Sequence, residues 1–203
     1  MIVTISVWSL YVKTIWIVLT IAVALAVGGT ALAQSGGLSD SEPVVLTDEQ
    51  GQYPLGLHLD ILEDPSGELT IDDVASPEYA SQFVRSDVAT PSFGLTDSAI
   101  WARVSFENKS ARVAHWFLEH GYPNTHFIDV YAPDPDGEGY AVDEVGALRP
   151  VENRDLSHPN FVFDIDIPTG EEQPVYLRVQ SGSTINLPLT LWAPTNFLVH
   201  SGR

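Results

Sequence analysis

The chain has 203 residues, with 27 acidic and 9 basic side chains and a formal charge of −18. A charge of that sign repels nucleic-acid phosphates and excludes a nucleic acid as partner. The absence of cysteine excludes disulfides, thiolate metal sites and thiol catalysis, so the fold has to rest on a buried core.

Residues 1–33 contain no acid and one base, Lys13, ahead of the apolar run Ile15–Val27. Gly28-Gly29-Thr30 breaks that run, and Ala31-Leu32-Ala33 places small residues at −3 and −1 of a cleavage point. This is the order of a secretory signal peptide, with cleavage expected after Ala33. Ile5–Leu10 is also fairly apolar, which keeps an uncleaved anchor helix open as the alternative. Either way the remainder is expected outside the cytoplasm. Without residues 1–33 the chain keeps 170 residues, the size of one domain, with 8 basic and 27 acidic side chains. Such acidity suits a salt-rich habitat, where ions screen self-repulsion.

Residues 34–42 (QSGGLSDSE) read as a flexible linker, and residues 43–198 as the domain proper. Leu55–Leu62 alternates Leu55, Leu57, Leu59 and Ile61 with more polar residues and predicts a strand. Asp64-Pro65-Ser66-Gly67 predicts a turn, with glycine at a left-handed position. Thr70–Phe83 predicts a short helix or irregular crossing, with Thr70 or Asp72 as cap. Ala99–Glu107 puts Ile100, Ala102, Val104 and Phe106 on one face of a strand, and Trp101, Arg103, Ser105 and Glu107 on the other. Further strands are expected at 114–120, 127–131, 161–167, 175–181 and 187–192, with Pro133–Gly139 as a hairpin end. Strict alternation means that each strand buries one face, and many such strands predict an all-β sandwich.

Beyond Trp192, Thr195 or Asn196 could open a helix, with only about two turns of sequence after it.

An ordered set of segments carries a resemblance. It runs from Leu62-Glu63-Asp64-Pro65-Ser66-Gly67 through Ser92-Phe93-Gly94-Leu95-Thr96 and Ile100-Trp101-Ala102-Arg103 to Trp116-Phe117-Leu118-Glu119. It continues through 127–131, 146–154, Val175-Tyr176-Leu177-Arg178-Val179-Gln180-Ser181 and Leu187-Pro188-Leu189-Thr190-Leu191-Trp192 to Phe197. Over roughly residues 53 to 198 the chain resembles the type 2 extracellular domain of bacterial seven-transmembrane receptors with diverse intracellular signalling modules. The resemblance implies a jelly-roll β-sandwich like that of carbohydrate-binding modules, placed ahead of seven membrane helices, so that residues 199–203 are expected to be a truncated tail where the first of them would start. It also implies a cytoplasmic output, such as a histidine kinase or a cyclic-di-GMP synthesis domain, as partner in the same receptor.

Read from the side chains alone, Trp101, Arg103, Ser105 and Glu107 would share one outward surface with Tyr176, Arg178 and Gln180 if their strands are neighbours. Aromatic rings stack on sugar faces, and guanidinium, carboxyl and amide groups bond hydroxyls or carboxylates. Glu119, Arg154, Trp116, Tyr122, His126 and Asn186 could complete such a site. The candidate ligand residues are therefore Trp101, Arg103, Glu119, Arg154, Tyr176 and Arg178, for a small-molecule ligand of saccharide or carboxylate type. The opposing reading has Trp101 packed beneath a loop and both arginines paired with nearby acids, contributing little when exposed.

No metal, cofactor or catalytic residue is expected: the six histidines lack ligand spacing, and Asp134–Glu138 lacks that of a calcium loop. Asn108-Lys109-Ser110 matches a glycosylation sequon by pattern only. Three roles are thus weighed: a receptor's ligand sensor, or a secreted stand-alone carbohydrate-binding protein of the same kind; a jelly-roll glycosidase using Glu107 and Glu119; and an assembly domain forming a homodimer through an exposed sheet edge.

Overall fold

A computed structural model describes residues 42–202 except Asp136. The expected leader and most of the linker lie outside the described residues. Among the described residues, eleven of thirteen strands build two main sheets. The larger contains β1 (Val44–Leu46), β3 (Asp60–Asp64), β4 (Val84–Arg85), β6 (Ala99–Asn108), β8 (Phe127–Pro133), β9 (Tyr140–Val145) and β11 (Glu172–Gln180), in the order β4-β3-β6-β11-β8-β9. β1 runs parallel to the end of β6, with Val44 opposite Phe106. The smaller sheet runs β10 (Phe161–Asp166), β7 (His115–His120), β13 (Leu189–Trp192) and β2 (Gln52–Pro54). β5 (Ser92–Gly94) and β12 (Ile185–Asn186) form a separate pair.

The two sheets meet face to face, because the alternation in each strand marks one side for burial. Ile100, Ala102, Val104 and Phe106 from β6 and Val175, Leu177 and Val179 from β11 share one core with Trp116 and Leu118 from β7 and Phe161, Phe163 and Ile165 from β10. Each large side chain removed from water there contributes about 1.5–3 kcal/mol. This is the expected sandwich.

Two local expectations, at Leu55–Leu62 and at the last helix, need correction, and the one for Thr70–Phe83 gains detail. Leu55–Leu62 is not one strand: Gly56–His58 is a 3-10 turn and the strand begins at Asp60. The tight turn buries Leu55 and Leu59 completely and leaves Leu57 exposed, which a strand could not do. Thr70–Phe83 holds two one-turn helices, α1 (Ile71–Val74) and α2 (Pro77–Ala80). Thr70 does cap α1, in a reciprocal capping box with Asp73. The last helix, α3 (Pro194–Ser201), starts at Pro194 with Ala193 as its cap, so neither Thr195 nor Asn196 opens it. Gly67 closes the predicted turn at φ +67°, as expected.

Candidate ligand-binding site

β6 and β11 are neighbours, as the side-chain reading required, with Tyr176 opposite Arg103 and Arg178 opposite Trp101. Register then lines up two rows across the outer face of the large sheet. One reads Arg85, Asp60, Arg103, Tyr176, Tyr131, Val142, and the other Leu62, Trp101, Arg178, Asp129, Glu144.

Each row holds a carboxylate shared by two guanidiniums. Asp60 lies 2.9 Å from Arg85 Nε and 3.4 Å from Arg103 Nη2. Asp129 accepts a very short hydrogen bond from Arg149 Nη1 and lies 3.7 Å from Arg178 Nη1. Four of the seven described Arg and Lys side chains thus gather at this face of an acidic protein. Either triad, taken by itself, keeps one net positive charge.

The face is not the open surface expected for it. Trp101 is fully buried, and Arg103 and Tyr176 nearly so. Residues 65–83 fold back across the sheet, and Val74, Leu69, Ile71, Ala75, Tyr79 and Phe83 pack on Leu62, Trp101 and Tyr176, joined by Tyr131 and Tyr140. The apolar residues of this short crossing need a surface to bury against, and the aromatic outer face supplies it. The Arg103 guanidinium sits 4.2 Å from the Phe83 ring, and Trp101 stacks on Tyr131 at 5.5 Å and 28°. Burial beside Tyr176 pushes the Tyr140 hydroxyl up to about 12. Burial, with Asp129 close by, also raises Tyr131. Two donors under this cover, Trp101 Nε1 and Arg103 Nε, have no hydrogen-bond partner. An unpaired buried donor costs about 1–3 kcal/mol.

The cover is tied down at its start. Asp64 Oδ1 accepts from the Ser66 and Gly67 amides at 3.0 Å and its Oδ2 from the Leu69 amide at 3.1 Å. Burial alone would raise that carboxyl, but the Ser66 hydroxyl and these amides outweigh it and hold it below the usual range. Arg178 Nη2 donates to the Gly67 carbonyl at 2.8 Å and to Gln180 Oε1 at 3.2 Å.

Beyond the cover the face stays open. A cleft of about 300 Å3 is lined by Asp97, Phe127, Gln180, Ser181 and Gly182. Gln180 joins it to Arg178, and Arg149 lies over the Phe127 ring at 5.5 Å. Phe127 was missing from the expected set. Its signal was the alternation of 127–131, which puts Phe127, Asp129 and Tyr131 on one face.

The other expected residues lie elsewhere. Glu119, on β7, belongs to the small sheet, where it accepts from Trp192 Nε1 at 2.9 Å and Asn160 Nδ2 at 2.7 Å. Arg154 lies over Phe161, at 4.6 Å, on an edge strand of that sheet. Neither belongs with Arg103 and Arg178, because β7 and β6 are in opposite sheets and their outward side chains diverge. The same geometry separates Glu107 from Glu119. Trp116 points into the core, and His126 accepts from the Gly182 amide at 3.1 Å. Asn108 of the sequon is buried, its amide donating to the Val113 and Ile167 carbonyls.

Among the described residues no group of three His, Asp or Glu could hold a metal, and no helix is long and apolar enough to cross a membrane. A family model, 7TMR-DISM extracellular 2, matches residues 56–193. No curated protein matches the sequence. Among solved structures, an insecticidal crystal protein, Cry2Aa, aligns with 52% of this chain at 15% identity and a TM-score of 0.27, and the chain spans 18% of that protein's length.

Proposed function

On the premise that the chain belongs to the type 2 extracellular domain family of seven-transmembrane signalling receptors, which gives it an extracytoplasmic sensing role, we propose that it is a periplasmic ligand sensor. It takes a small polar ligand, a saccharide or a carboxylate, on the outer face of its large sheet. The observation that carries this reading is the joining of Arg178 to the open Phe127–Gln180 cleft through Gln180. An aromatic face and a guanidinium at one cleft suit a ligand with an apolar ring face and oxygen acceptors in its plane. Binding would act on the membrane and cytoplasmic modules of the receptor by preferring one conformation of this domain over another. The seven-transmembrane and cytoplasmic signalling modules of the same receptor are the partners this role requires.

The test is a calorimetric binding screen of the purified chain against saccharides and carboxylates, followed by Phe127→Ala and Arg178→Gln. A ligand whose affinity falls about tenfold or more in both variants supports the site. A ligand bound by both variants as tightly as by the parent refutes it. The stand-alone carbohydrate-binding reading shares this site and differs in finding no receptor modules to act on.

A further inference from the structure

We propose that residues 65–83 are a ligand-displaced cover, that Arg178 is its latch, and that the ligand is a carboxylate which takes over the Arg178 guanidinium from the Gly67 carbonyl. This rests on the sensor reading above and specifies its ligand class and its moving part.

The closed cover is an incomplete fit. It leaves Trp101 Nε1 and Arg103 Nε buried without acceptors, although the two side chains stand two residues apart on the same face of β6. Arg178 and Tyr176 lie directly across from them on β11. Four donor-bearing side chains thus converge on a region whose apolar roof supplies no acceptors to the first two. A carboxylate has two acceptor oxygens in a plane and accepts from a guanidinium in the same plane.

The cover is also built to move. α1 and α2 have one turn each, α2 buries no residue, and α1 fully buries only Val74. Helices this short have no independent stability. The hydrogen bond from Arg178 Nη2 to the Gly67 carbonyl ties the cover to β11. That bond joins a charged donor to a neutral acceptor. A ligand carboxylate in place of the carbonyl makes it charge-assisted on both sides, and so stronger. The ligand therefore interacts differently with the closed and open states, which a ligand needs in order to shift a conformation. The Phe127–Gln180 cleft beside Arg178 supplies the way in. Of the nearby acids, Asp129 lies 3.7 Å from Arg178 Nη1 and Asp97 lines the cleft; the net positive charge of the Arg149–Asp129–Arg178 triad offsets them, and acids beyond roughly 8–10 Å are screened at physiological salt.

Backbone hydrogen–deuterium exchange on the purified chain, with formate, succinate, glucuronate, glucose and inorganic phosphate as probes, tests the proposal. Glucuronate and glucose share a ring and differ in the carboxylate. The expected result is that at least one carboxylate binds and raises exchange across residues 65–83 by about tenfold or more, while strands β6 and β11 stay protected. Arg178→Gln should raise exchange in the cover without any ligand and remove the response to carboxylate. Three results overturn the proposal: carboxylate binding with no change in the cover, glucose or phosphate acting as well as glucuronate, or no response to any carboxylate. Glucose binding that is lost on Phe127→Ala would overturn the carboxylate and leave the sensor reading standing. The absence of any binding would remove both.

Discussion

Arg178 donates to the backbone carbonyl of Gly67 across 2.8 Å, and the two residues are 111 positions apart in the chain. Gly67 ends the turn that launches the two short helices, and Arg178 stands on the sheet beneath them. A single guanidinium thus links the cover, the shared carboxylate Asp129 and the open cleft at Gln180. The stability of the cover and the chemistry of the face are therefore coupled, and substitutions on either side report on the other.

Asp64→Ala should loosen the cover first. The carboxylate is almost fully buried and accepts three backbone amides and the Ser66 hydroxyl. Removing it strands those donors, at about 1–3 kcal/mol. Its carboxyl sits below the usual range in the folded state, so its contribution is present above the unfolded value near 3.8 and is lost as pH falls through the lower folded one. Urea denaturation should show the loss at neutral pH, and the gap between variant and parent should narrow in strong acid.

Trp101 separates packing from hydrogen bonding. Trp101→Ala empties a fully buried site and should cost about 3–5 kcal/mol. Trp101→Phe keeps much of the volume and removes an indole donor that has no partner, so it should cost clearly less. Equal losses in thermal melts would show that the indole nitrogen finds an acceptor in solution.

His120 predicts a pH dependence of its own. It is fully buried, with Nε2 3.0 Å from Thr125 Oγ1. Thr125 Oγ1 also lies 3.2 Å from the Tyr122 carbonyl, so the pair forms a small buried polar chain. Burial pushes its value down from 6.5 to about 3. A lowered folded value means that the unfolded chain binds the extra proton between the two. Stability is fully present above the unfolded value and falls by about 1.4 kcal/mol per unit as pH drops toward the folded one. Denaturation of His120→Gln and parent at pH 7 and pH 5 should show a smaller decline for the variant.

Asn108→Asp should be among the most damaging single-atom changes. The side-chain amide donates to two carbonyls, Val113 at 2.8 Å and Ile167 at 2.5 Å, while its oxygen accepts from the Ser110 amide. A carboxylate turns both donated contacts into repulsions inside the protein, at about 3 kcal/mol or more. Asn108→Asp no less stable than the parent would contradict the described geometry.

The strands and their buried faces were legible because side chains alternate with a period of two, so Ile100, Ala102, Val104 and Phe106 declare one side wherever the strand goes. The turn at Gly67 and the cap at Thr70 were legible for similar reasons, since each depends on local backbone geometry. Leu55–Leu62 misled because its leucines alternate in the sequence, whereas the 3-10 turn buries Leu55 and Leu59, four positions apart, and exposes Leu57 between them. The candidate site was half legible. That Trp101, Arg103, Tyr176 and Arg178 share a face follows from alternation once β6 and β11 pair, but Glu119 and Arg154 were assigned to that face with nothing local to show which sheet they join. Whether the face met water was beyond reach as well, because an aromatic side chain suits a ligand platform and a buried patch equally.

The residues by themselves therefore determined an all-β sandwich, its inward faces and the side chains available on its outward ones. Only the tertiary structure decided that residues 65–83 roof the Trp101–Tyr176 face, that Asp60 and Asp129 each hold two arginines, and that an open cleft lies at Phe127 while Trp101 is buried. The first set depends on the period of one strand. The second depends on which strands become neighbours and which loop folds over them, and contacts between distant parts of the chain leave no pattern in a local window.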